Sequence, residues 1–276
     1  MSPLFRGRLH HLSLGSPEPG ALAAFYRDAF DMAVTETDGA WICRGRERCL
    51  VFRAGAPKSL AWAGYQVSDR SALAPLRARV MAAGAAATLP VPAIFEDDAV
   101  AARDPDGNLV VFGIARPAPE PPDGLPARLQ HVVIASRDPR RIVRFYADVI
   151  GFRETDHVID GEGALRTAFL RSDDEHHSFA VFMAPADRLD HHCYEAVDWN
   201  LIRDWGDHFA ARRIPIKWGP GRHGPGNNLF LFIHDPDGNW VEISAELEIA
   251  AADRPVGRWP HEERTLNSWG QAFLRS

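Results

Sequence analysis

Several features that mark particular protein classes are scarce or missing in the sequence. It has only 3 cysteines in 276 residues, with no CxxC spacing, which argues against a disulfide framework and against a zinc ribbon. No apolar run approaches the roughly 18 residues that span a bilayer, and no apolar segment of a secretory signal follows the first arginines. A net charge of -6 provides no basic face for nucleic acid. We therefore expect a cytoplasmic globular protein with no nucleic-acid or membrane partner.

The chain contains two copies of one pattern. A Phe-Tyr pair stands at residues 25–26 and again at 145–146, each time 14 residues after a histidine in a strand-like segment. The pentapeptide Asp-Pro-Asp-Gly-Asn occurs at 104–108 and again at 235–239. Identical landmarks in the same order predict tandem copies of one structural module.

Each copy begins as a strand followed by a helix and continues with further strands. In the second copy, Asp138 is an expected N-cap and Pro139 occupies the first helical position, where a missing N–H costs nothing. Apolar residues then recur at helical spacing over 142–149. Alternating strands follow, and the last two are joined by the Pro-Asp-Gly turn. The pattern predicts an α+β fold with two similar domains.

A proline-rich stretch separates the copies. Five prolines fall within ten residues from Pro117, which is typical of a stiff linker. We expect an N-terminal domain over 1–115, the linker over 116–128 and a C-terminal domain over 129–250. The polar tail, 251–276, is expected to cover either the functional site or a subunit interface.

Three residues on separate predicted strands of the second half form a candidate metal site. His131 lies in the opening strand, His192 begins a later strand, and Glu242 alternates inward in the last strand. A carboxylate among apolar neighbours is costly unless a cation pairs with it. Two histidines and one carboxylate can occupy one face of an octahedral non-haem Fe(II) ion and leave three positions open.

The first half serves as an internal control for this site. At the matching places it has His11, Trp62 and Val111, so it keeps one of the three candidate ligands. We therefore expect a metal only in the second domain.

The segment 221–242, GRHGPGNNLFLFIHDPDGNWVE, resembles the signature of the type I extradiol ring-cleaving dioxygenases of the vicinal oxygen chelate superfamily. The resemblance covers nearly the whole chain. It extends to the spacings of 61 residues from His131 to His192 and 50 from His192 to Glu242. It implies tandem βαβββ modules, with each domain forming an open mixed-sheet barrel and the C-terminal domain carrying the catalytic metal.

The resemblance also implies roles for individual residues. It assigns His131, His192 and Glu242 as ligands of Fe(II), or of Mn(II), His177 as the catalytic histidine that donates a proton, and His223 as a hydrogen-bond partner of the substrate. The neighbouring His176 and His191 are expected to be structural.

One position departs from the family pattern. Phe232 stands where the family signature has a tyrosine whose hydroxyl contacts the substrate. Tyr194, two residues after His192, either supplies a hydroxyl instead or packs in the core. The expected pocket wall consists of Phe232, Trp199, Trp218, Phe230 and Asn227, which favours an apolar or fused-ring catechol over a carboxylated one.

These features predict an Fe(II)-dependent extradiol dioxygenase of aromatic catabolism, which cleaves the ring of a catechol and incorporates both atoms of O2. Its expected partners are the catechol, O2 and further copies of the chain in a homo-oligomer. Two alternatives remain: a glyoxalase- or epimerase-like metal lyase or isomerase, and a non-enzymatic ligand-sequestering protein of the bleomycin-resistance type.

Overall fold

The first half of the chain folds into seven strands and two α-helices in the computed structural model, which describes residues 5–272. In chain order the elements are β1 (Gly7–Ser16), α1 (Pro19–Phe30), β2 (Ala33–Thr37), β3 (Ala40–Gly45), β4 (Arg48–Ala54), β5 (Ser59–Val67), α2 (Leu73–Ala82), β6 (Val100–Arg103) and β7 (Leu109–Gly113).

The second half repeats this order, with one extra strand after its second α-helix and one extra strand and helix at its end. Its elements are β8 (Arg128–Ser136), α3 (Pro139–Arg144), a π-helical turn (Phe145–Ile150), β9 (Arg153–Ile159), β10 (Leu165–Arg171), β11 (Phe179–Met183), β12 (Arg188–Glu195), α4 (Trp199–Ala211), β13 (Trp218–Arg222), β14 (Leu229–His234), β15 (Trp240–Ala245), β16 (Gly257–Pro260) and α5 (Glu263–Leu266).

Each half forms one mixed sheet. The first sheet has the order β2-β3-β4-β1-β5-β7-β6, and the second has the order β13-β14-β15-β12-β8-β11-β10-β9-β16. At the centre of each sheet, one antiparallel pair (β1 with β5, β8 with β12) is flanked by parallel partners. Neither order closes on itself, so both sheets are open. The predicted α+β fold is confirmed.

The first helix of each half begins differently. Asp138 caps α3 by accepting a hydrogen bond from the Arg141 N–H, as predicted. In the first copy the helix begins at Pro19, after Ser16 and Pro17, because Ser16 instead accepts from the N–H of Glu18 at the end of β1. No helix within residues 5–272 is long and apolar enough to cross a membrane.

The two sheets share one hydrophobic core, and the repeated motifs contact each other across it. The hydroxyl of Tyr26, in the first Phe-Tyr pair, donates to Asp235 in the second Asp-Pro-Asp-Gly turn at 3.1 Å. Tyr146, in the second pair, reaches Asp104 in the first turn at 3.5 Å. One face of each sheet packs into this shared core. The opposite face of each sheet is turned away from the core, and we call it the outer face.

Candidate active site

Three donor atoms converge on the outer face of the second sheet. Nε2 of His131 lies 3.2 Å from Oε2 of Glu242, and Nε2 of His191 lies 3.3 Å from the same oxygen. The two Nε2 atoms are 3.4 Å apart. Adjacent ligands of an octahedral ion with bonds of about 2.1 Å are separated by about 3 Å. The set therefore fits one face of the octahedral coordination sphere of a divalent metal ion. Within residues 5–272, His131, His191 and Glu242 form a group of three potential ligands close enough to hold one ion.

Each histidine of this set is oriented by the residue that precedes it. Gln130 accepts a hydrogen bond from Nδ1 of His131 through its Oε1, and Asp190 pairs through Oδ2 with Nδ1 of His191 at 2.7 Å. Protonation at Nδ1 leaves the Nε2 lone pair of each ring for a metal, and such partners fix the ring orientation.

Two β-bulges create this arrangement. Between β8 and β12 the register shifts at Gln130 in one strand and at Asp190 in the other. A bulge puts two successive residues against one partner, so the strict alternation of faces is interrupted there. As a result Asp190 and His191 both reach the outer face, and Asp190 lines the same cavity as the three donors.

The prediction of His192 as a metal ligand is corrected to His191. The ring of His192 is fully buried on the opposite face, where its Nε2 lies 3.2 Å from the hydroxyl of Tyr26. The bulge at Asp190 reverses the face that alternation assigns to His191 and His192. His191, which the sequence analysis treats as structural, therefore lies with His131 and Glu242.

Tyr194 follows the same face as His192 and does not reach the cavity. Its ring is buried in the shared core, 5.1 Å from the ring of Phe30. Burial raises the pKa of its hydroxyl well above the usual value. The expectation that Tyr194 supplies a hydroxyl to the site is corrected, and within residues 5–272 the cavity lining contains no tyrosine.

Glu242 is a buried carboxylate held in the ionised form. Burial alone raises its pKa, but the adjacent rings of His131 and two further histidines outweigh that effect and hold the pKa well below the usual range. Nδ2 of Asn228 donates to its Oε1 at 3.3 Å and to Oγ of Ser244 at 2.9 Å. Burial lowers the pKa of His131, so this ring is neutral, as a ligand must be.

The three donors open into a cavity of about 100 Å³. Its remaining walls are mostly apolar and come from Val133, Thr167, Phe169, Ala180, Phe182, Trp218, Pro225, His261, Thr265 and Leu266. His177 lines it with its ring centroid 4.4 Å from that of His131. Burial lowers the pKa of His177 well below its usual value, so the ring is neutral at pH 7.

His223 lies on the other side of the donor set. Its Nε2 is 3.6 Å from Oε1 of Glu242, and its ring stacks on Phe230 at 4.0 Å. Its Nδ1 bonds to the carbonyl of Leu266 in the tail. His177 and His223 thus both line the cavity beside the donor set, and the roles that the resemblance implies for them stay predictions.

The predicted pocket wall is partly wrong. Trp218 lines the cavity, whereas Phe230 lies behind His223 and Phe232 lies behind Trp218 and His191, with ring centroids 5.1 and 5.4 Å from theirs. Trp199 is 44% exposed and packs on Trp269, because it opens α4 at the surface.

Asn227 does not line the cavity. It is exposed with a positive φ of 53° in the turn before β14, and its neighbour Asn228 takes the buried position instead.

The tail lies over the mouth of the cavity. Strand β16 pairs in parallel with β9, and Thr265 and Leu266 of α5 line the cavity. The Gly224 N–H donates to the carbonyl of Thr265 at 2.9 Å. The segment therefore covers the site from the same chain.

Sequence reasoning missed one of the donors, His191, and three residues that contact the donor set, namely Asn228, Gln130 and Asp190. A signal for the first was present, because Leu129-Gln-His131-Val and Leu189-Asp-His191-His share the leucine, a polar residue and the histidine at the same spacing. That match puts His191 in the place of His131 and gives each ligand a polar residue before it.

Comparisons with known proteins agree with this site. Residues 128–243 match the model of the Glyoxalase/Bleomycin resistance protein/Dioxygenase superfamily. Metapyrocatechase 2 of Cupriavidus necator is 29% identical in an alignment of 290 positions, which covers 95% of this chain and 88% of that protein.

Two solved structures show the same fold. Homoprotocatechuate 2,3-dioxygenase from Arthrobacter globiformis superposes with a TM-score of 0.82 at 24% identity, covering 99% of this chain and 90% of that one. The Mn(II)-bound glyoxalase from Novosphingobium aromaticivorans gives 0.81 at 24% identity, covering 98% and 92%. The matched superfamily model, the near-full-length relative and the shared fold together support a type I extradiol dioxygenase of the vicinal oxygen chelate superfamily.

Proposed function

We propose that this protein is an Fe(II)-dependent extradiol dioxygenase that cleaves a neutral catechol at the site formed by His131, His191 and Glu242. The observation that carries the proposal is the placement of three metal-donor atoms on one side of an apolar cavity, with two further histidines on its open side. Three protein ligands leave three positions of an octahedral ion for substrate and dioxygen. The near-full-length relative named metapyrocatechase supports ring cleavage.

The chemistry that a divalent ion supplies when bound is a lowered pKa for the hydroxyl it touches and, for iron, the redox chemistry that dioxygen activation needs. The protein supplies the rest. His131 and His191 are held in position by Gln130 and Asp190, and His177 offers a neutral ring nitrogen at the cavity wall to take the hydroxyl proton. The apolar walls and the tail keep bulk water from the site.

Oxygen uptake by the full chain after loading with Fe(II) tests this function. With a panel of catechols we expect oxygen consumption and a yellow ring-opened product. The chelated protein is the control for free iron, and Mn(II) loading is run in parallel. Absence of oxygen consumption with every catechol and both metals would contradict the proposal.

The cavity favours a neutral catechol with an apolar substituent. Among residues 5–272 its lining contains no lysine or arginine, and its largest apolar wall residue is Trp218. A carboxylate buried there without a cationic partner is costly. We expect kcat/KM at least about 10-fold higher for catechol and alkylcatechols than for 3,4-dihydroxyphenylacetate.

Two substitutions of one residue sharpen this expectation. Trp218→Arg, which adds a cation to the wall, is expected to raise kcat/KM for the carboxylated catechol relative to catechol. Trp218→Phe, the matched control, keeps the preference for the neutral ring. A wild-type preference for the carboxylated substrate would contradict the assignment.

The cellular location and the oligomeric state of the protein stay predictions. Cys43, Cys49 and Cys193 are all buried and unpaired, which agrees with a reducing cytoplasmic location. A homo-oligomer is expected from the family resemblance, and light scattering of the purified protein would test it.

A further inference from the structure

A buried chain of polar groups leads from His177 away from the cavity. Nδ1 of His177 lies 3.0 Å from Nδ1 of His176, and the two ring planes are almost perpendicular. Nε2 of His176 lies 2.9 Å from Oδ2 of Asp156. The side chains of His176 and Asp156 are completely buried. Neither residue has a place in the site described above.

Asp156 is surrounded by hydrogen-bond donors. Besides His176, it accepts from Nη1 of Arg254 at 2.9 Å and from Nε1 of Trp259 at 2.8 Å. Although burial raises its pKa, these donors lower it to about 2. Asp156 is therefore an ionised carboxylate, which can accept hydrogen bonds but not donate them.

With both rings neutral, the donors and acceptors assign the protons in this chain. Because the carboxylate of Asp156 only accepts, Nε2 of His176 must carry a proton. In a neutral imidazole one nitrogen donates and the other accepts, so Nδ1 of His176 accepts. The proton between the two rings then belongs to Nδ1 of His177, and Nε2 of His177 is left with a lone pair.

We propose that Asp156 and His176 are positioning residues that hold His177 in the Nδ1–H tautomer, with its unprotonated Nε2 available to substrate. The inference rests on the proposed function for the reaction that His177 serves. When a catechol binds, its O–H bond breaks and an Nε2–H bond forms on His177, so the same ring can return that proton later in the reaction. The tail takes part, because Trp259 and Arg254 fix the carboxylate that orients His176.

A pair of substitutions at His176 separates positioning from packing. His176→Leu removes both nitrogens, and kcat is expected to fall about 100-fold, the lower end of what proton transfer by a side chain contributes. His176→Gln can still donate to Asp156 and accept from His177, so kcat is expected to stay within about 10-fold of the wild type. KM for the catechol and the bound metal per chain are expected to change little in both variants.

The same substitution in a background without His177 shows whether His176 acts through it. In His177→Ala protein, His176→Leu is expected to change kcat by less than about 2-fold, because the residue it positions is gone. Asp160→Asn, in the turn directly after the same strand, is the control for loss of a carboxylate nearby. An equal loss of kcat in both backgrounds would overturn the proposal.

A measurement on the unaltered protein makes the test independent of folding defects and of turnover. ¹⁵N NMR of histidine-labelled full chain loaded with diamagnetic Zn²⁺ reports which nitrogen of each ring carries the proton. We expect His177 to show a protonated Nδ1 and an unprotonated Nε2. A proton on Nε2 of His177 would overturn the proposal even in an active enzyme. An inactive Fe(II) protein with the expected tautomer would instead refute the proposed function and leave the positioning intact.

Discussion

Equivalent strand positions carry different side chains in the two halves of the molecule. In the first sheet His11 pairs with Gly64 and Ser13 pairs with Trp62, and in the second sheet His131 pairs with Cys193 and Val133 pairs with His191. These registers make Trp62 the counterpart of His191.

By the same reasoning Val111 is the counterpart of Glu242. Gly64 pairs with Val111 in one half, and Cys193 pairs with Glu242 in the other. The backbone scaffold is thus shared, and two side chains distinguish a metal site from a packed surface.

Apolar side chains fill the outer face of the first sheet. They form a cluster of Ala40, Ile42, Cys49, Val51, Trp62, Ile94, Phe95, Ala99, Ala101, Leu109 and Val111. His11 remains there as a buried ring 4.8 Å from that of Phe95, and burial lowers its pKa well below the usual value. The comparison teaches that a histidine in this strand is compatible with packing alone, whereas a buried Glu242 needs cationic partners.

The largest expected difference between the halves is at the equivalent positions Glu242 in β15 and Val111 in β7. Glu242→Gln is expected to abolish metal binding and activity, beyond the about 10- to 100-fold that loss of a supporting residue costs. Val111→Ala is expected to leave both unchanged and to lower the free energy of unfolding by about 1–3 kcal/mol. Metal analysis, oxygen uptake and urea unfolding of the two variants check this. Retention of a full metal complement by Glu242→Gln would break the comparison.

Two adjacent histidines provide the next test. His191→Ala is expected to lose the metal and activity. His192→Ala is expected to keep the metal and to lose stability of about 1–3 kcal/mol, because it removes a buried hydrogen-bond partner of the Tyr26 hydroxyl. Iron per chain after desalting distinguishes the two, and the reverse pattern would restore the ligand set expected from strand alternation.

The two Asp-Pro-Asp-Gly turns are expected to contribute alike to the pH dependence of stability, although the outer faces of the two halves differ. Burial raises the pKa of Asp104 and of Asp235 to about 6 each. Between the usual value of 3.8 and about 6 the folded state holds more protons than the unfolded state, so stability falls as pH rises through that window. The slope is at most about 1.4 kcal/mol per pH unit for each carboxyl. Urea unfolding of metal-free protein from pH 4 to 7 measures it.

Substitution of one carboxyl at a time locates that slope. Asp104→Asn and Asp235→Asn are each expected to reduce it by a similar amount. Part of the slope remains in both variants, because burial also raises the pKa of Asp173 to about 6 and that of Glu195 to about 7. A slope that falls in only one of the variants would show that the two turns are not equivalent.

The smallest expected difference concerns the two tyrosines that reach across the shared core. Tyr26→Phe removes bonds to Asp235 and His192 at 3.1 and 3.2 Å and is expected to cost about 1–2 kcal/mol. Tyr146→Phe removes one long contact of 3.5 Å to Asp104 and is expected to cost less than about 1 kcal/mol. Thermal and urea unfolding give both values, and equal losses would indicate that the reciprocal contacts are symmetric.

The repeat in the sequence was sufficient to predict the α+β class and the order of the elements, and it placed the candidate metal site in the half that holds the three donor groups. Phe-Tyr pairs and Asp-Pro-Asp-Gly turns gave the alignment of the copies. Their contact across the halves was not predictable, because the side-chain packing between two sheets leaves no periodic pattern in the sequence.

Strand alternation predicted His192 as the ligand instead of His191, and the reason for this error is local. Side chains alternate strictly along a regular strand, and both faces of β12 carry apolar residues, so polarity gives no guide. The bulge at Asp190 reverses the alternation, and a bulge depends on pairing with another strand. Alignment of Tyr65 with Tyr194, both buried in the shared core, would have placed Trp62 opposite His191. The internal repeat was therefore a better guide to this ligand than alternation.

The central claim is that one metal ion is held by His131, His191 and Glu242 in the second half. A crystal of the full chain grown after anaerobic Fe(II) loading, with diffraction recorded at the iron absorption edge, tests it most directly. The account predicts one anomalous peak per chain, about 2.1 Å from Nε2 of each histidine and from Oε2 of Glu242. A peak bonded to His192, or one beside His11 in the first half, would contradict it.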